Sequence, residues 1–201
     1  MKSLALALLL GACGTEFGPS TSPVELPTDG PGIYKAVCAR CHGSTGGGSA
    51  GGPEIRNPVH DYATYVTRTG RGNEMDVSYA DPMPAHGTDV LDDAQLKLVL
   101  DFLSSASKPV AGNELYARFC QNCHGVGSSG GRADKDIRDE LDELEETVRE
   151  GHHLGEFAEA DEYMPRWSEA AITRVELDAI AAYLRTLPPG PGDEDEDEDD
   201  D

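Results

Sequence analysis

Residues 38–42 read Cys-Ala-Arg-Cys-His and residues 120–124 read Cys-Gln-Asn-Cys-His. On a helix, Cys at i, Cys at i+3 and His at i+4 share one face, so two thiols and an imidazole converge on a single flat ligand. Thiols so placed can add across two vinyl groups while the imidazole binds a metal, which is the chemistry of c-type haem attachment. A structural zinc would want four donors closing together, but the second Cys pair belongs to a distant copy of the same phrase. A dithiol redox pair needs no following His and sits between a strand and a helix, and neither stretch has strand alternation around it. Two covalently bound haem c groups are therefore expected, on Cys38 and Cys41 and on Cys120 and Cys123, with His42 and His124 as iron ligands. The fifth cysteine is Cys13, so none is left for a disulfide.

The phrase recurs because the whole unit recurs. Sliding the chain by 82 positions lays Tyr34 on Tyr116, Gly43 on Gly125, Ile55-Arg56 on Ile137-Arg138 and Val66 on Val148. After a one-residue deletion, Gly70 meets Gly151, Met83-Pro84 meets Met164-Pro165, and Phe102-Leu103 meets Tyr183-Leu184. A tandem duplication of this kind puts one supersecondary unit in each copy.

Each motif needs a helix to present it and a second to cover it. Helical stretches are predicted at 32–42 and 112–124 for the motifs, and stronger amphipathic helices at 91–105 and 174–187, the first with Leu96, Val99, Leu100 and Leu103 on one face. A further helix is predicted at 136–149, where Leu141, Leu144 and Val148 line one side among acids. The glycine-rich segments after each motif read as loops, and the first lacks the Gly-Lys-Ser/Thr ending of a phosphate loop. The expectation is an all-α chain with two domains, 32–108 and 109–189, each a few helices wrapped round one covalently bound haem. Aromatic content is only 6%, so domains this small need a cofactor to complete their cores.

Each repeat resembles a class I cytochrome c, and the pair is similar to dihaem cytochromes of the cytochrome c4 group. The resemblance implies a methionine on the far side of each iron. Of Met75, Met83 and Met164, only Met83 and Met164 superpose in the repeat, each followed by proline, whereas Met75 falls opposite Glu156. A His/Met pair implies comparatively oxidising carriers, because the thioether favours ferrous iron. It also implies a proline carbonyl accepting from the ligand histidine. Pro53 fits that role for His42, but the second copy has Lys135 there, which leaves the partner of His124 open and suggests unequal potentials. Arg56 and Arg138 recur and are candidates for the haem propionates, against the plainer reading of surface arginines. Trp167 resembles a family aromatic at the haem edge, and its counterpart His86 reads as a polar neighbour of the propionates. His60, His152 and His153 read as surface or loop residues.

The formal net charge is −22, with nine acids in the last nine residues. Such a surface repels nucleic acid and anionic headgroups and suits redox proteins with basic docking surfaces. The acidic tail, 190–201, reads as either a docking arm or a solubilising segment. At the other end, residues 1–12 have the lysine and short apolar run of an export signal. Leu10-Gly11-Ala12-Cys13 resembles the lipobox of bacterial lipoproteins, which makes Cys13 a lipidation site and residues 13–31 a Pro/Ser/Gly-rich tether. The expected function is a lipid-anchored one-electron carrier facing the periplasm, the outer membrane slightly favoured, or the cell surface, with no small-molecule substrate and no catalytic residue. The alternatives are a cytochrome subunit of a larger membrane oxidoreductase and, further off, a haem peroxidase or ligand sensor with an open iron site.

Overall fold

A computed structural model of the chain describes residues 25–71, 82–138, 140–159 and 161–188. The export signal, Cys13, most of the tether, Met75 and the acidic tail lie outside the described residues.

The fold is mostly helical and built twice. In the first copy α1 (Gly30–Val37) runs into a one-turn α2 (Ala39–His42), then a two-stranded hairpin of β1 (Gly47–Ser49) and β2 (Gly52–Glu54), α3 (His60–Thr69) and α4 (Asp93–Ser104). The second copy has α5 (Gly112–Phe119), a one-turn α6 (Gln121–His124), two short 3-10 turns, α7 (Leu144–Glu150) and α8 (Arg174–Leu184). The hairpin was not expected from the sequence. It pairs Gly47 with Glu54 and Ser49 with Gly52, and the second copy keeps only an isolated bridge, Gly130 to Lys135.

In each copy the first and last helices cross and bury their apolar stripes. Ile33 and Tyr34 meet Leu96, Val99, Leu100 and Leu103 in the first core, and Leu115 and Tyr116 meet Leu177, Ile180 and Leu184 in the second. The crossing is close. A Cβ on Gly30 would collide with the Leu98 carbonyl, and one on Gly112 with the Ala179 carbonyl. The covering helices start sharply because both carry a reciprocal N-terminal cap, Asp92 with Gln95 and Thr173 with Glu176. Such a cap is worth about 1 kcal/mol.

Three sequence expectations change. The motif helices are not continuous, since α1 and α5 end at Cys38 and Cys120, whose φ of −107° and −118° restart the chain as a separate turn. The helix predicted over 136–149 begins only at Leu144. Upstream of it, Asp136 accepts from Ser128 and from the Arg138 backbone, and Ser128 accepts from the Ile137 backbone, so these side chains hold 136–138 in a local turn. Finally, Gly70 donates to Val66 and Gly151 to Thr147. Val66 is therefore equivalent to Thr147, not Val148, and the repeat loses its residue before α3 rather than after it.

The two copies pack against each other. Tyr62 and Tyr65 of α3 meet Phe157, with ring centroids 5.9 and 5.4 Å apart, and Tyr62 stacks on Tyr163 at 5.0 Å. Arg132 donates to the Tyr62 hydroxyl. Among the described residues no helix is long and apolar enough to cross a membrane.

Candidate functional site

Each motif sits on a single turn closed by its own backbone. Cys41 and His42 donate to the Cys38 carbonyl at 3.2 and 3.0 Å, and Cys123 and His124 to the Cys120 carbonyl at 3.1 and 3.0 Å. This backbone puts two thiols and an imidazole on one turn, and in the second copy all three line one cavity. The turn is anchored from the preceding helix, where the Tyr34 hydroxyl donates to Gly43 at 2.7 Å and the Tyr116 hydroxyl to Gly125 at 2.7 Å.

Both histidines are buried, 7% exposed for His42 and 9% for His124. Burial lowers the basicity of each ring, so each is held as the neutral imidazole that a metal requires. His42 Nδ1 lies 3.0 Å from the Pro53 carbonyl. A carbonyl can only accept, so Nδ1 carries the proton and Nε2 keeps its lone pair for a ligand. In the second copy the Lys135 carbonyl faces His124 and raises its basicity. Yet His124 Nδ1 makes no hydrogen bond of good geometry. Pro53 and Lys135 thus present their carbonyls to equivalent rings, with the better geometry at His42.

The four motif cysteines are half-buried. Burial, with the neighbouring Cys thiol, pushes Cys38 up to about 11 and Cys120 up to about 12. Cys38 and Cys120 are therefore protonated at neutral pH.

The two Met-Pro pairs occupy one backbone setting. Met83 exchanges both hydrogen bonds with Arg71, at 3.0 and 2.9 Å, as Met164 does with His152, at 3.0 and 3.1 Å. Gly70 and Gly151, at φ of +75° and +68°, let the end of the preceding helix approach, since a Cβ at either would press on the methionine carbonyl. In the second copy Cys120, Cys123, His124 and Met164 line one cavity of about 300 Å³, walled by Trp167 and Ile172 among others. Two thiols and a neutral imidazole on one segment, with a thioether on another, suit a covalently held haem with a His/Met iron. Trp167 also packs edge-on against Phe119 at 5.2 Å. His86 takes the equivalent backbone position, donating to Thr67 as Trp167 donates to Val148.

Arg56 and Arg138 are each engaged by an acid two residues earlier. Arg56 Nε reaches Glu54 at 2.7 Å, Arg138 Nε reaches Asp136 at 2.7 Å, and Arg138 Nη1 donates to the Pro188 carbonyl. His60 bonds Ser104, and His153 reaches Glu156 at 3.1 Å, both at the surface. His152 is exposed but reaches the rim of the cavity. One pair was missed by the sequence reading. Arg68 donates to the His86 carbonyl and Arg149 to the Trp167 carbonyl, fastening the helix before each Met-Pro loop to the residue after it. Carrying the shifted register back through α3 would have aligned them.

The chain matches the family model for cytochrome c oxidase, cbb3-type, subunit III, twice, over residues 25–103 and 107–184. It is also 27% identical over 189 residues to a cbb3-type cytochrome c oxidase subunit CcoP of Rhodobacter capsulatus, an alignment covering 79% of this chain. The chain spans 61% of that protein's length. Two matches to one family model, laid over two copies of one site, show that the chain belongs to the cbb3-type subunit III family and is a c-type cytochrome with two covalently bound haem c groups.

Proposed function

We propose that the chain is a membrane-associated electron relay that delivers single electrons to a larger oxidoreductase. The observation that carries this reading is the family match over both repeats, each with the Cys-Cys-His turn and the paired Met-Pro loop. Cys38, Cys41, Cys120 and Cys123 form the thioethers, His42 with Met83 and His124 with Met164 bind iron, and the haem supplies the one-electron couple when bound. The protein keeps each imidazole neutral and oriented, excludes water with the crossed helices, and sets potential through the thioether ligand. Units 32–108 and 109–189 are the two domains.

The relative's name places that protein in a cbb3-type oxidase, and an oxidase is the acceptor we assign to this chain. Lipid on Cys13 and the 13–31 tether hold it at a membrane facing the periplasm. The lipobox-like sequence also favours a second reading, a free lipid-anchored carrier. Affinity capture from detergent-solubilised membranes separates the two. Recovery of stoichiometric oxidase subunits supports the relay subunit, and recovery of the chain alone supports the free carrier. The acids, nine of them in the tail, steer a basic partner, so electron transfer to a basic redox protein slows as salt rises. A stopped-flow rate that stayed flat with salt would remove that role.

A further inference from the structure

The dipeptide Pro53-Glu54 is bonded to both haem-attachment motifs at once. Its first carbonyl accepts from His42 Nδ1 at 3.0 Å, and its second accepts from Asn122 Nδ2 at 2.7 Å. Asn122 is the residue between Gln121 and Cys123, inside the second motif. Successive carbonyls of an extended strand point to opposite sides, so β2 presents one face to the first histidine and the other to the second domain.

The Glu54 side chain is gripped from the same direction. Its Oε1 accepts from Arg118 Nε at 2.7 Å as well as from Arg56 Nε at 2.7 Å. Arg118 belongs to α5 of the second copy, and its side chain is only 5% exposed. The same guanidinium donates to Asn57 Oδ1 at 3.1 Å and to the Ser107 carbonyl at 2.5 Å. Buried charge-assisted bonds of this kind are stiff and directional. The second histidine faces the Lys135 carbonyl instead, without a well-formed bond from its Nδ1.

We infer that Arg118 and Asn122 are positioning residues for the first haem site: the second domain fixes the Pro53 carbonyl and thereby the orientation and donor strength of His42. The first haem is then tuned from across the domain boundary, while the second is tuned within its own domain. The inference rests on His42 being the iron ligand of the proposed function.

A carbonyl that takes the ring proton strongly makes the imidazole a better donor and favours ferric iron. Loosening β2 therefore raises the first haem's potential. Asn122→Ala removes a neutral bond. Arg118→Lys keeps the charge but loses the fork that reaches Glu54, Asn57 and Ser107 together. Both are tested in the full-length, haem-loaded protein by spectroelectrochemical titration and by the hyperfine-shifted proton signals of the ferric state, with Met83→Ala and Met164→Ala assigning each haem. Both variants should keep two haems, shift the first potential positive and move the His42 signals, and Arg118→Lys, which lies outside the second motif, should leave the second haem unchanged. A first haem unchanged in both variants, or equal shifts at both haems in Arg118→Lys, overturns the inference. A wild-type chain carrying other than two haems overturns the haem reading itself, which distinguishes the two failures.

Discussion

The Tyr34 hydroxyl donates to the Gly43 carbonyl at 2.7 Å, tying the middle of the first helix to the residue that ends the haem-binding turn. Tyr34 is fully buried, and its ring lies 5.3 Å from that of Phe102 on the covering helix. One side chain therefore joins core and site. Tyr34→Phe keeps the ring and removes the bond, which should cost about 0.5–1.5 kcal/mol. Urea unfolding checks it, and Tyr116→Phe, which loses the same bond to Gly125, should match. A loss near zero in both would show that the bond only accompanies the packing.

Met83 and Met164 share a backbone setting, so their substitution should have parallel effects. With both thioethers on iron, the reduced wild-type protein binds no carbon monoxide at either haem. Met83→Ala opens one site and Met164→Ala the other, and each lowers the potential of its own haem, since the thioether favours ferrous iron. Carbon monoxide binding counted per haem is the check. One equivalent bound by the wild type would mean that a methionine is misassigned and would bring an open-site function forward.

The internal repeat made most of the site legible. It aligned the Cys-Cys-His turns and singled out Met83 and Met164, because selection of one backbone setting twice leaves the same residues at the same spacing. The covering helices were legible for a different reason, as each carries an apolar stripe that must be buried. Helix α3 was not, since none of its residues is fully buried, and its aromatic side chains, Tyr62 and Tyr65, pack on Phe157 and Tyr163 of the other copy. The grip of Arg118 and Asn122 on Glu54 was also hidden. Contacts between the copies have no counterpart within a copy, so repetition gives no sign of them. The helix was misread upstream of Leu144, where side-chain bonds of Ser128 and Asp136 fix the backbone at 137 and 138 in a turn that periodicity does not show.

Gly112 lies where α5 crosses α8, with the Ala179 carbonyl in the space a Cβ would need. Backbone on one side and backbone on the other leave nothing flexible to move. Gly112→Ala should therefore destabilise the second domain by about 1–3 kcal/mol, the usual range for overpacking, despite the better helix propensity of alanine. Gly30→Ala should do the same to the first domain through the Leu98 carbonyl. Thermal unfolding followed at the haem absorbance gives the sign, and a stabilised variant would show that the helices can move apart at little cost.

Glu176 carries the cap of α8 and an ion pair with Lys108 at 2.6 Å, in the segment joining the copies. Burial pushes its carboxyl up, but the Lys108 ammonium and the Thr173 donors outweigh burial and hold it below the ordinary value. A carboxyl depressed in the folded state stabilises fully above its unfolded value of about 4.3 and loses that contribution as pH falls through the folded value. Glu176→Gln keeps an acceptor for the cap but cannot ionise. The variant should be less stable than wild type at pH 7, and the gap should shrink as pH drops below about 4. Urea midpoints at the two pH values check this, and a gap independent of pH would show that the ion pair with Lys108 contributes nothing.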